Sequence, residues 1–67
     1  MNTYWLLYKT EHGIKRLLAI FQTQAAAGVI RDLHEKYKHQ LYQDESEYSV
    51  EEVTDSFEEL VKLFPKH

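Results

Sequence analysis

Residues 3 to 22, TYWLLYKTEHGIKRLLAIFQ, form two strand-like runs around a Glu11-His12-Gly13 break, and each run is apolar on both of its faces. Tyr4, Leu6 and Tyr8 alternate with Trp5 and Leu7; on the return, Leu17, Ala19 and Phe21 alternate with Leu18 and Ile20. A ribbon of this kind needs cover on both sides, and a chain of 67 residues leaves helix enough for one. The expected result is an open face made of Trp5, Leu7, Leu18 and Ile20, with Lys9, Lys15 and Arg16 as a basic rim. An apolar centre inside a charged rim has the anatomy of an interface.

Gly13 supplies a positive φ and histidine tolerates one, so a two-residue loop at His12-Gly13 is favoured. That loop opposes Tyr8 to Leu17, Leu6 to Ala19 and Tyr4 to Phe21. It also opposes Lys9 to Arg16, a like-charge pair costing a few tenths of a kcal/mol or more. A four-residue loop removes this clash and exchanges the paired faces.

Thr23 is placed as an N-cap, and Gln24 to about Tyr42 reads as a helix with Ala26, Val29, Ile30, Leu33, Tyr37 and Leu41 stepping by three and four. This stripe is expected to pack on the hairpin, with Gly28 either weakening the first turn or letting the helix lie close on Ala19. Asp32 and Lys36 form an i, i+4 pair in the favourable order. Residues 43 to 48 form an acidic linker, with a third strand there as the alternative. Ser49-Val50-Glu51-Glu52 has the form of a capping box, with Tyr48 and Val53 as its hydrophobic staple. It predicts a second helix over 50–64, with stripe Val53, Phe57, Leu60, Val61 and Phe64, closed by Pro65. The expected fold is α+β: one domain over 1–67, with a two-stranded antiparallel hairpin packed against two helices in the order β-β-α-α. Its core draws on Leu6, Leu17, Ala19, Phe21, Val29, Ile30, Leu33, Tyr37, Val53, Phe57, Leu60 and Val61.

The charge is bipolar. Residues 1 to 43 carry six bases against three acids, a net +3, and residues 44 to 67 carry two against eight, a net −6. Asp44, Glu45, Glu47, Glu51, Asp55, Glu58 and Glu59 form a candidate acidic interaction surface. A polar helix side explains part of this, but solubility alone would be served by both signs. An acidic surface of this kind docks on basic protein or imitates nucleic-acid phosphate.

Chemistry beyond binding finds little support. There is no cysteine, hence no disulfide or thiolate, and a reducing cytosol is the matching compartment. No run approaches the length of a membrane span. Met1-Asn2-Thr3 running straight into a strand fits a small protein that is complete as it stands. His34 and His39 are five apart and on different helix faces, whereas Glu35 and His39 at i, i+4 read as a solvated pair; His12 is a turn residue and His67 terminal. No phosphate loop, nucleophile motif or dinucleotide fingerprint is present. No catalysis, cofactor, metal, membrane or small-molecule substrate is therefore expected.

The expectation is a small non-catalytic module that binds protein, or a second copy of itself as a homodimer, and modulates or inhibits a larger macromolecule. Its size and acidic C-terminal third are in keeping with the small proteins that viruses of bacteria and mobile elements direct at host machinery. The alternative is single-stranded nucleic-acid binding, with Lys9, Lys15 and Arg16 beside the rings of Tyr4, Trp5 and Tyr8.

Overall fold

The computed structural model describes residues 2–41 and 46–65. The elements run β1 (Asn2–Glu11), β2 (Ile14–Phe21), α1 (Gln24–Leu41), β3 (Glu47–Asp55) and α2 (Phe57–Val61). The fold is α+β, as expected, but the sheet has three antiparallel strands in the order β2-β1-β3. The expected two-stranded hairpin is thereby corrected, and so is the long second helix over 50–64.

The reason lies in β1. As one half of an isolated hairpin it would leave alternate backbone groups without partners, and a lone hairpin is marginal in water. Residues 47 to 55 supply the missing strand, pairing with β1 from Asn2↔Asp55 through Thr10↔Glu47. Tyr48, Val50, Val53 and Thr54 all favour strand, which lets the tertiary demand override the helical spacing. The capping box at Ser49 goes unused. An identical Ser-x-x-Glu spacing seven residues later starts the real helix: the Ser56 hydroxyl oxygen accepts from the Glu59 backbone N–H at 3.4 Å. Asp55 accepts from the Ser56 backbone N–H at 2.7 Å, fixing the corner between β3 and α2.

The hairpin loop is the favoured two-residue one. His12 has φ 53° and Gly13 φ 78°, the pair of positive values a type I′ turn needs. Tyr8↔Leu17 and Lys9↔Arg16 pair as expected, the Lys9 ammonium lying 3.7 Å from the Glu11 carboxylate on its own strand. Beyond them a β-bulge shifts the register, so Leu7 meets Ala19, Leu6 meets Ile20 and Trp5 meets Phe21. The expected pairs Leu6–Ala19 and Tyr4–Phe21 are therefore replaced, and Ile20 moves to the Leu6 face.

Helices pack on both faces of the sheet, α1 covering Trp5 and Leu7, so what stays open of the expected face is the outer part of β2. On one face Tyr4, Leu6, Leu17 and Leu60 form the buried core, with Tyr8, Ile20, Val53 and Phe64 packed against it. Five residues of α2 and the turn after them suffice for this, because Leu60 alone is 2% exposed. On the opposite face Leu7 and Ala27 are both fully buried. Burying a leucine of this kind contributes about 1.5–3 kcal/mol.

α1 is docked by an unexpected side. Thr23 does cap it, its hydroxyl oxygen accepting from the Ala26 backbone N–H at 3.2 Å. Ala27, Arg31, Glu35 and Lys38 are wholly or partly buried, whereas Val29, Leu33 and Tyr37 are 59%, 42% and 54% exposed. The small Ala27 lets the helix approach Trp5 and Leu7, which a leucine or tyrosine at the contact would hold off. Gly28 plays no part in close packing, since a Cβ built there meets nothing within 4 Å. The expected core positions Val29, Leu33, Tyr37, Phe57 and Val61 are thus exposed ones.

Candidate interaction surfaces

The anticipated interface residues do not meet on one open face. Trp5 and Leu7 lie beneath α1, where Trp5 lines a cleft of about 360 Å3 with Gln24, Gly28, Arg31, Val50 and Glu52. Leu7 is wholly buried and Ile20 packs into the opposite core. Leu18 alone is well exposed, at 38%. The bulge leaves it beside Lys9, Glu11, His12, Ile14 and Arg16, with which it lines a shallow depression near the hairpin end.

The anticipated acidic surface is divided by β3. Alternation along a strand sends Glu47 and Glu51 to one face and Glu52 to the other. The Glu51 carboxylate pairs with the Lys15 ammonium, which lies 4.3 Å from the Tyr8 ring centroid. This Lys15–Tyr8–Glu51 arrangement crosses all three strands; with both charged groups nearly half exposed, the ion pair contributes at most about 1 kcal/mol. Burial raises the Tyr8 phenol above its usual value, Glu51 raises it further and Lys15 works against them. Glu58 and Glu59 stand exposed on α2, Glu59 3.1 Å from the Lys62 ammonium. Asp44, Glu45, His67 and the side chain of His39 lie outside the described residues.

The basic rim is largely committed to carboxylates. Lys15 goes to Glu51 and Lys9 to Glu11, with Arg16 on the far side of the hairpin opposite Lys9. Tyr4 is buried and Tyr8 packs against the core, so neither ring forms a stacking platform with Trp5.

A polar junction that the sequence reading missed joins α1 to the sheet. The His34 ring stacks on Tyr48 at 5.1 Å between centroids, and the Lys9 and Lys38 ammoniums lie 6.0 and 5.8 Å from the same ring. Glu35 accepts from the Tyr48 backbone N–H at 3.3 Å, and the Lys38 ammonium lies 3.4 Å from its carboxylate. Lys38 also donates to the backbone carbonyl of the buried Ser46. The only sequence signal was i, i+3 and i, i+4 spacing among His34, Glu35 and Lys38. These groups satisfy one another and hold the helix in place. Among the described residues no group of three histidine or acidic side chains is placed to hold a metal, and no helix is long and apolar enough to cross a membrane.

Among the described residues, large apolar side chains stand in solvent on α2 and the turn after it, on α1 and on β2. On and after α2, Phe57 and Val61, one turn apart, and Leu63 in the turn beyond are exposed, Phe57 and Leu63 at 52% and Val61 at 42%. Glu58 and Glu59 lie between Phe57 and Val61 in the chain, and the Phe57 ring leans on Tyr4 at 5.9 Å. Val29, Leu33 and Tyr37 of α1 and Ile14 and Leu18 of β2 are exposed as well. The chain matches no protein-family model, no curated protein and no solved structure.

Proposed function

We propose that this chain is a small non-catalytic protein-binding module, docking through α2 on a larger macromolecule and modulating or inhibiting it. The observation that carries this reading is the exposure of Phe57, Val61 and Leu63 on and just after α2, in a stretch that also holds the exposed Glu58 and Glu59. A stretch this short, with three large apolar side chains in solvent, exceeds what scattered surface hydrophobics require. The carboxylates select a partner with a basic margin and steer its approach. This narrows the acidic surface from the whole C-terminal third to α2, where Glu58 and Glu59 stand among exposed apolar side chains; Glu51 and Asp55 are engaged with the sheet and the β3–α2 corner, and Glu59 shares its charge with Lys62 on α2 itself. The cytosol is the compartment that fits a chain without cysteine.

The test is capture of partners from extract by the immobilised chain, at low and moderate salt, followed by titration of each captured protein. Phe57→Ser and the pair Glu58→Lys with Glu59→Lys should each weaken binding tenfold or more. Equal binding by both variants would reject α2 as the docking surface. Single-stranded oligonucleotide, titrated in parallel at low salt, serves the rival reading: binding lost on Lys15→Glu and Arg16→Glu would favour it.

A further inference from the structure

Beyond that reading, and on a different surface, we infer that the chain self-associates as a two-fold dimer through α1 and β2. α1 advances about 100° per residue, so its flanks can be placed from its contacts. Gly28 and Arg31 share a cleft with Val50 and Glu52, and Glu35 accepts from Tyr48; that flank faces β3. Ile30, Leu33 and Tyr37 lie on the opposite flank, above the side where β2 forms the sheet edge. α1 runs back toward the hairpin end: Gln24 and Gly28 sit by Trp5, whereas His34 and Lys38 sit on Tyr48, which is opposite Lys9. Leu33 and Tyr37 therefore overhang the level of Leu18 and Ile14.

Helix and strand together form a ridge and a shelf. The ridge is the i, i+4 row Val29, Leu33 and Tyr37; the shelf is the outer part of β2, with Leu18 and Ile14 exposed and Ala19 and Phe21 partly so. Such a shape is complementary to itself. A two-fold axis seats the ridge of each copy on the shelf of the other, the isologous pattern in which residue i meets j and j meets i.

Charge and the two sheet edges favour a second copy as occupant, and exposed apolar side chains supply the centre of the contact. At about 60–120 Å2 for a large aliphatic side chain and about 150–250 Å2 for an aromatic one, the 55%, 38%, 59%, 42% and 54% exposure of Ile14, Leu18, Val29, Leu33 and Tyr37 leaves on the order of 300 Å2 per protomer. A standard interface takes about 800 Å2 from each partner, and Ala19, Phe21 and the free β2 edge stand next in line to supply the remainder. Charges of both signs border the surface, Lys9, Arg16 and Lys36 with Glu11 and Asp32, so no repulsion opposes its duplication. The two sheet edges also differ. β3 carries four acids, Glu47, Glu51, Glu52 and Asp55, a common way to keep an edge single, whereas β2 is uncharged from Leu17 onward.

Sedimentation velocity over a wide concentration range tests this. Wild type should approach twice the 8.0 kDa chain mass, and Leu33→Glu should stay monomeric at concentrations at least tenfold higher, with an unchanged circular dichroism spectrum. Phe57→Ser, on α2, should dimerise like wild type, so a failed partner search and a failed dimer are separately visible. Because the chain lacks cysteine, a mixture of Leu33→Cys and Leu18→Cys chains gives a second readout. It should form the mixed disulfide faster than either does with Val61→Cys. A wild type that remains monomeric throughout, or a dimer that Leu33→Glu leaves intact, would overturn the inference; the former would hand the surface to a different protein.

Discussion

Leu60→Ala separates the short, capped α2 from the long amphipathic helix that residue spacing alone implies. Leu60 is 2% exposed and packs into the cluster of Tyr4, Leu6 and Leu17, whereas Val61 beside it is 42% exposed. Truncating a leucine so placed removes its transfer free energy and leaves a cavity, a loss of about 2–5 kcal/mol. At about 0.05–0.15 kcal/mol per residue, a chain of 67 residues has only about 3–10 kcal/mol in all. Leu60→Ala should thus remove about a fifth or more of the total stability and lower the urea midpoint in proportion. Val61→Ala removes two methyl equivalents already partly in water, a loss below about 1 kcal/mol. Urea unfolding followed by circular dichroism, with a common slope for the three chains, measures both. In a helix spanning 50–64, Val61 shares the buried stripe with Leu60, and the two truncations cost alike. That equality would refute the packing described for α2.

Three further perturbations address other parts of the fold. Gly28→Ala should stabilise by about 0.5–1 kcal/mol, since the added Cβ meets nothing within 4 Å; a loss in thermal denaturation would mean that α1 lies closer to the sheet than described. Ser56→Ala should cost about 1 kcal/mol through loss of the α2 cap, and Ser49→Ala, in mid-strand, should leave α2 unaffected. The raised Tyr8 phenol means that the folded state holds this proton more tightly than the unfolded state. Its linkage leaves stability unaffected well below the model-peptide value of 10.0 and lowers it as pH rises through that value toward the folded one. Tyr8→Phe should therefore lose less stability than wild type between neutral pH and strongly alkaline pH in denaturant melts.

The hairpin was legible in the sequence because its signal is local. Gly13 after His12, between alternating apolar runs, states the turn type directly, and Lys9↔Arg16 follows from it. The bulge after Leu7 was not legible: Leu17 and Leu18 are alike, and nothing in their order shows which one is the extra residue. β3 was missed because EYSVEEVTD satisfies two periods, with Val50 and Val53 one helical step apart while Tyr48, Val50 and Glu52 alternate. Only the need of β1 for a second partner decides between them, and that need is tertiary.

The inversion of α1 had the same origin. Its apolar stripe names a surface that should leave water, without saying whether the sheet or another molecule receives it. The sheet face offered Trp5, Leu7 and Tyr48 beside charged groups, and Ala27, His34, Glu35 and Lys38 answer that mixture better than Leu33 and Tyr37. Among the exposed apolar side chains the sequence pointed to Leu18 alone, on a face that α1 covers over Trp5 and Leu7 and leaves open at β2. The sequence marks the carboxylates of Glu58 and Glu59 but places Phe57 and Val61 in the core, where the structure leaves both exposed.

β3 completes the sheet, α2 packs on one of its faces, and α1 turns its apolar stripe outward from the other. Methyl-resolved NOE spectroscopy on isotope-labelled protein, filtered for contacts within one chain, tests this arrangement most directly. The structure predicts cross-peaks from the Leu60 methyls to the Tyr4 ring and the Leu6 methyls, and cross-strand backbone peaks between residues 47–55 and β1. It predicts none from the Leu33 methyls to Trp5 or Leu7. Helical i, i+3 peaks through residues 50 to 55, with Leu33 in contact with Leu7, would contradict it.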